Sequence, residues 1–228
     1  MKVTAVVPAF NEAGRVQGVL DVLAAASAVD EVLVVDDGSS DGTHLAVESH
    51  PAAQGKDAKV RCLRQVPNAG KGAAMRRGAE AALDADILLF LDADLIGLSP
   101  EHVASLAAPV TSGEYDMALG VFRGGRGATT LAQVLVPNIS GQRAIRRDLF
   151  LSVPCLSQSG FGVELAITNF IAGGGYRMTQ VVLHGVTHPM KEEKLGLLRG
   201  VRSRARMYWQ MLPYMFVRGG KPRRRPRG

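Results

Sequence analysis

Short apolar runs separated by helix-sized intervals constrain this chain more than any other feature. Residues 2–8, 31–35, 60–64, 87–91 and 117–121 are rich in Val, Ile and Leu and read as buried strands. Between them, residues 12–27 carry Val16, Val19, Leu20 and Leu23 near helical spacing, a helix ends close to Ser49, and residues 70–83 form an Ala-rich helix. Ser99-Pro100 opens another helix that runs to about Pro109, with a capping hydroxyl followed by proline in the first turn. Strands alternating with helices imply an α/β/α sandwich: a mostly parallel central sheet covered on both faces. Ligands bind such sheets beyond the carboxyl ends of the strands.

The second part of the chain is less regular. Residues 122–130 are rich in Gly and Arg and read as a mobile loop. Residues 143–148 read as a short strand entering a turn, 163–172 as a helix ended by Gly173-Gly174-Gly175, and 176–183 as a strand. Residues 1–194 are expected to form one domain, followed by a basic amphipathic helix to residue 218 and a disordered Arg-rich tail over 219–228.

A length of 228 residues with 46% apolar side chains is enough for a sizeable core. The formal charge of +6 is concentrated late in the chain, ending in Lys221-Pro222-Arg223-Arg224-Arg225. That bias favours an anionic partner, but a basic tail alone supports only non-specific phosphate contact, not specific nucleic-acid recognition. Segment 195–217 also carries Tyr208, Trp209, Tyr214 and Phe216. A basic helix with aromatics suits a membrane surface, packing on the domain, or a second subunit of a homodimer. Cys62 and Cys155 have no metal spacing and read as buried thiols in a reduced cytoplasm. No signal-peptide pattern opens the chain and no apolar run approaches the ~20 residues of a membrane span, so the protein is expected to be cytoplasmic, soluble or peripheral.

The polar clusters fall at strand ends. Asp92 and Asp94 follow the fourth strand, and residues i and i+2 of an extended segment share a face. Two adjacent carboxylates repel unless a cation joins them, and oxygen ligands favour Mg²⁺ or Mn²⁺. An acidic turn would read the same way in isolation. Asp36-Asp37-Gly38-Ser39 follows the second strand and suits either a nucleoside or a helix-capping turn. Pro8-Ala9-Phe10-Asn11-Glu12 follows the first strand, where a nucleoside would lie. Asn68-Ala69-Gly70-Lys71-Gly72 opens a helix whose free N–H groups, with Lys71, suit a base or phosphate.

These four clusters, in this order, resemble those of family 2 glycosyltransferases with the GT-A fold. The likeness covers about residues 1–190, and the subgroup is similar to polyprenyl-phosphate sugar synthases and glucosyl-3-phosphoglycerate synthases. The resemblance implies an inverting transfer of a hexose from a UDP- or GDP-sugar to an acceptor it does not identify. It assigns Pro8, Ala9, Glu12 and Asp37 to the nucleoside, with Asn11 in the same cluster and Lys71 nearby, and Asp92 and Asp94 to a metal-bound diphosphate. Ser140-Gly141-Gln142-Arg143 resembles the segment lining the sugar and acceptor side, which assigns Gln142 and Arg143 to the substrate. Glu164 resembles the acid that faces the acceptor; it is the candidate base for a hydroxyl acceptor and equally a helix N-terminal acid. His188 matches the histidine that ligates the metal in some GT-A enzymes, though a lone histidine is often structural. Where polyprenyl-phosphate mannose synthases commonly carry Gln, this chain has Ile96. The rivals are a sugar-nucleotide nucleotidyltransferase, which would want a basic Gly-rich loop after the first strand, and a non-catalytic phosphate- or membrane-binding protein.

Overall fold

In the computed structural model, residues 1–123, 140–154, 156 and 162–189 are described. The strands are β1 (Val3–Ala9), β2 (Glu31–Asp36), β3 (Val60–Arg64), β4 (Ile87–Phe90), β5 (Met117–Arg123), β6 (Arg143–Arg146) and β7 (Met178–His184). The helices are α1 (Val16–Ala25), α2 (Thr43–Glu48), α3 (Lys71–Ala81), α4 (Pro100–Thr111), α5 (Arg147–Leu151) and α6 (Val163–Gly173). The described strands form one sheet in the order β3-β2-β1-β4-β6-β5-β7. Strands β3, β2, β1 and β4 run parallel, β6 is antiparallel to both β4 and β5, and β7 is parallel to β5.

The period-two pattern of the strands sorts side chains into two cores. On β2, Val32 and Val34 join Val16, Leu20 and Leu106 on one face, while Leu33 and Val35 join Met75, Phe150 and Ile167 on the other. Helices α1, α2 and α4 therefore cover the first face, and α3, α5 and α6 the second. Continuous apolar strands are the mark of a sheet buried on both sides.

Four expectations are corrected. The first helix begins at Val16 rather than residue 12. Side chains after β2 capture the intervening backbone: the N–H groups of Asn11, Glu12 and Ala13 donate to Ser39 Oγ, Thr43 Oγ1 and Asp41 Oδ2 at 2.9, 2.9 and 3.0 Å. Asn11 takes φ 56° in that turn. Residues 147 and 148 begin α5 rather than ending a strand, and Phe122 and Arg123 extend β5 by pairing with Leu183 and His184. Cys62 is half-buried rather than enclosed, and burial pushes its thiol up to about 11. The remainder of the 122–130 loop, Cys155, the helix over 195–218 and the tail over 219–228 lie outside the described residues. Among the described residues, no helix is long and apolar enough to cross a membrane.

Candidate active site

The carboxyl edge of the sheet gathers residues far apart in sequence. Asp92 and Asp94 follow β4 directly, and His188 follows β7. His188 is held there by backbone pairing between Ile96 and Thr187, whose N–H groups donate to each other's carbonyls at 2.9 and 3.0 Å. The turn that brings these strands together needs Gly97. Its φ is +77°, and a Cβ there would lie 2.5 Å from the Gly185 carbonyl oxygen. Ile96, the departure from the mannose-synthase pattern, thus acts through its main chain. Phe122 meets the His188 ring edge-on at 5.2 Å, a contact between residues 66 positions apart that no local pattern signals.

Asp92, Asp94 and His188 each present a ligand atom within 4.8 Å of the others. Nδ1 of His188 lies 3.1 Å from Asp94 Oδ1, and Nε2 lies 3.6 Å from Asp92 Oδ2. Two carboxylates and one imidazole are a donor set that suits Mn²⁺ or Mg²⁺, so the residues present fit the expected ion. Burial pulls the His188 imidazolium down, but the hydrogen bond to Asp94 and the charges of both aspartates outweigh it, so its pKa rises above 6.5.

Lys71 opens α3 and closes the other side of the cluster. Its Nζ lies 2.7 Å from Asp92 Oδ1 and 2.7 Å from Glu164 Oε1 at the start of α6. Burial works against the ammonium, but the two carboxylates prevail and raise its pKa. For Asp92 the opposing terms are burial, which raises the carboxyl, and Lys71 and His188, which win and lower it. Gln142 donates from Nε2 to Asp92 Oδ2 at 2.9 Å and accepts from Ser140 Oγ at 3.0 Å. Between them, Gly141 packs so closely that a Cβ would lie 2.6 Å from Asp92 Oδ2 and 2.9 Å from Lys71 Nζ.

The first two strand ends form a second wall. Asp37 is 3% exposed, and its carboxylate accepts from Gln65 Nε2, Ala69 N and Gly70 N at 2.7, 2.8 and 2.8 Å. Its own N–H donates to the Ala9 carbonyl at 2.9 Å. Asp37 thereby stitches the loop before α3 to the end of β1, a supporting role not visible in the sequence. Ala9 is also buried, Pro8 and Glu12 are half-buried, and Asn11 is exposed.

Arg143 is the largest surprise in placement. The resemblance put it on the sugar and acceptor side, but it is 0% exposed. Its guanidinium donates to the main-chain carbonyls of Ser140 and, at 3.3 Å, Glu164. At the first residue of β6, opposite Phe90 of β4, the side chain is enclosed against the start of α6. His184 is exposed at the end of β7, and the basic residues from Lys191 onward lie outside the described residues.

An α/β sheet with an acid pair at its carboxyl edge, matched by the structures given below, places the chain in the GT-A class. The chain belongs to glycosyl transferase family 2, whose model matches residues 4–168. It is 31% identical over 198 residues to glucosyl-3-phosphoglycerate synthase of Mycobacterium tuberculosis, covering 72% of this chain and 59% of that protein. It is 28% identical over 220 residues to undecaprenyl-phosphate mannosyltransferase of Micrococcus luteus, covering 86% of this chain and 88% of that one. The crystal structure of the M. tuberculosis synthase with Mn²⁺, uridine diphosphate and phosphoglyceric acid superposes with a TM-score of 0.72 at 27% identity, covering 97% of this chain and 80% of that chain. A second structure of that synthase holds Mg²⁺ and uridine diphosphate. The chain thus spans 59% of the length of the synthase it matches.

Proposed function

We propose that this chain is a metal-dependent, inverting glycosyltransferase that moves a hexose from a UDP- or GDP-sugar to an acceptor hydroxyl or phosphate. The observation that carries the reading is the convergence of Asp92, Asp94 and His188 within ligand distance of one another, beside the Lys71 ammonium. The Mn²⁺ or Mg²⁺ held by uridine diphosphate complexes of the related synthase supports the same choice of ion and donor.

In this reading the nucleoside rests along the ends of β1 and β2. Pro8, Asn11 and Glu12 face it, and Ala9 and Asp37 shape the floor beneath. Asp92, Asp94 and His188 hold the ion, which when bound offsets the charge of the departing diphosphate. Lys71 has three N–H groups, and two are aimed at Asp92 and Glu164. In this reading the third meets an oxygen of the sugar donor. An acceptor oxygen attacks the anomeric carbon from the side opposite the nucleotide. A bond forms there as the bond to the diphosphate oxygen breaks, which inverts that carbon. For a hydroxyl acceptor, Glu164 is the carboxylate positioned to take the proton, with its Oε1 steadied by Lys71. Most of the rate arises from positioning and charge placed in advance. The basic, aromatic-bearing segment 195–217 rests the enzyme on an anionic membrane surface in the cytoplasm.

The test is a screen of UDP- and GDP-hexoses with and without Mn²⁺. The expected result is metal-dependent release of UDP or GDP from one sugar series. Pyrophosphate release from a nucleoside triphosphate, or inertness toward every nucleotide sugar, would overturn the reading. Sedimentation with phosphatidylserine vesicles, compared with a chain truncated after residue 194, tests the membrane contact.

A further inference from the structure

We propose that Arg143 is a positioning residue: its buried guanidinium brackets segment 140–143 to the start of α6 and so sets Asp92, Lys71 and Glu164 for the transfer reaction. The inference rests on the function proposed above. The side chain is 0% exposed, yet among the described residues its hydrogen bonds end on two main-chain carbonyls and its Nε has no partner. A guanidinium buried in this way is a net burden on stability, because carbonyl dipoles only partly replace lost hydration. An apolar side chain of like volume would serve the fold as well or better. The charge is therefore best explained by what it holds in place.

Two segments meet at this one side chain. The first is the strip from Ser140 to Gln142. Its Gly141 leaves no room for a methyl beside Asp92 and Lys71, and its Gln142 amide holds Asp92 Oδ2 at 2.9 Å. The second is the first turn of α6, where the Glu164 carbonyl accepts from Arg143 at 3.3 Å and the Glu164 carboxylate meets Lys71 at 2.7 Å. Shifting either segment by a fraction of an ångström moves a carboxylate away from the Lys71 ammonium. Arg143 also places a positive charge near Glu164 and Asp92. Burial pulls its guanidinium down to about 10, and those two acids oppose the fall.

The experiment compares the full chain with Arg143→Met and Arg143→Lys, using the nucleotide sugar identified by the screen. In the methionine variant, kcat should fall about 10- to 100-fold. The donor KM should change by a smaller factor than kcat, because in this reading Arg143 itself touches no donor atom. The melting temperature should stay level or rise. The lysine variant, which reaches one carbonyl with its charge intact, should recover several-fold of the loss. Backbone hydrogen exchange should quicken together over 140–146 and 162–168 in the methionine variant, and not over β1 to β3. A wild-type kcat in Arg143→Met would overturn the inference, as would a loss that appears only in KM or only in parallel with unfolding. If the methionine variant does not fold, the same kcat-against-KM split in the lysine variant decides. If the wild-type chain turns over no nucleotide sugar, the functional reading fails on its own. Hydrogen exchange then decides the bracket, since quickening in one segment without the other sinks it.

Discussion

Strand β6 carries two arginines three residues apart, and they meet opposite fates. Arg143 lies opposite Phe90 at the carboxyl end of β4, while Arg146 lies opposite Ile87 at its amino end. The first is buried on main-chain carbonyls. The second has 48% of its side chain exposed and pairs with Asp148 at 2.6 Å and Asp116 at 3.4 Å. Arg177 also approaches Asp116, at 3.6 Å, so the amino edge is a set of half-solvated ion pairs. At the carboxyl edge the acids Asp92, Asp94 and Glu164 are drawn together around Lys71 and His188 in a partly enclosed site. Similar residue types yield a solvated rim at one end of the sheet and a poised site at the other. Burial and geometry separate them, not charge count.

The contrast is sharpest at Asp94. In Asp94→Ala, turnover should fall about a thousandfold or more while the circular dichroism spectrum is retained, because the proposed ligand is lost without disturbing the core. Turnover that persists with Mn²⁺ would erase the distinction between the two edges. Next is Gly141→Ala, whose methyl would press on Asp92 and Lys71. A displacement near 1 Å predicts about a hundredfold loss in kcat, read against an unchanged melting temperature.

A smaller effect follows from His188. Its raised pKa means the metal-free protein favours the imidazolium, and an ion must displace that proton. Mn²⁺ affinity should therefore climb by up to about tenfold per pH unit from pH 6.5 upward, flattening once His188 is neutral. For stability without metal the sign is opposite. The imidazolium contact is fully present below the unfolded pKa and is lost as pH rises through the raised folded value, so the melting temperature should drift down over that window. Titration calorimetry with wild type and His188→Ala checks the first, and calorimetric melts check the second. The smallest effect belongs to the amino edge: Arg146→Gln should cost about 0.5 kcal/mol and leave kcat unaltered, since exposed pairs contribute little. A large loss of activity there would break the comparison.

Much of the parallel half was legible before any coordinates. The strand at Val60–Arg64 matches its expected bounds, and β1, β2 and β4 fall within a residue of theirs, because an apolar run between polar turns is a local signal. The acid pair was legible for the same reason, sitting directly after one such run. The helix start at Val16 was missed because distant side chains from 39 to 43 capture the preceding backbone N–H groups. The cluster at Asp37 read as suited to either a nucleoside or a helix-capping turn, and nothing nearby in sequence revealed that Gln65, Ala69 and Gly70 would donate to the Asp37 carboxylate.

The sequence by itself determined the alternation of strands and helices and the placing of Asp92, Asp94 and Lys71 at element ends, since each depends on neighbours within a few residues. Only the tertiary structure decided that Lys71 meets Glu164, 93 residues away, and that His188 meets Asp94, 94 residues away. It alone sent Arg143 inward and Arg146 outward. Periodicity is written locally, whereas a side chain's partner and its access to water are set by which strands close on one another.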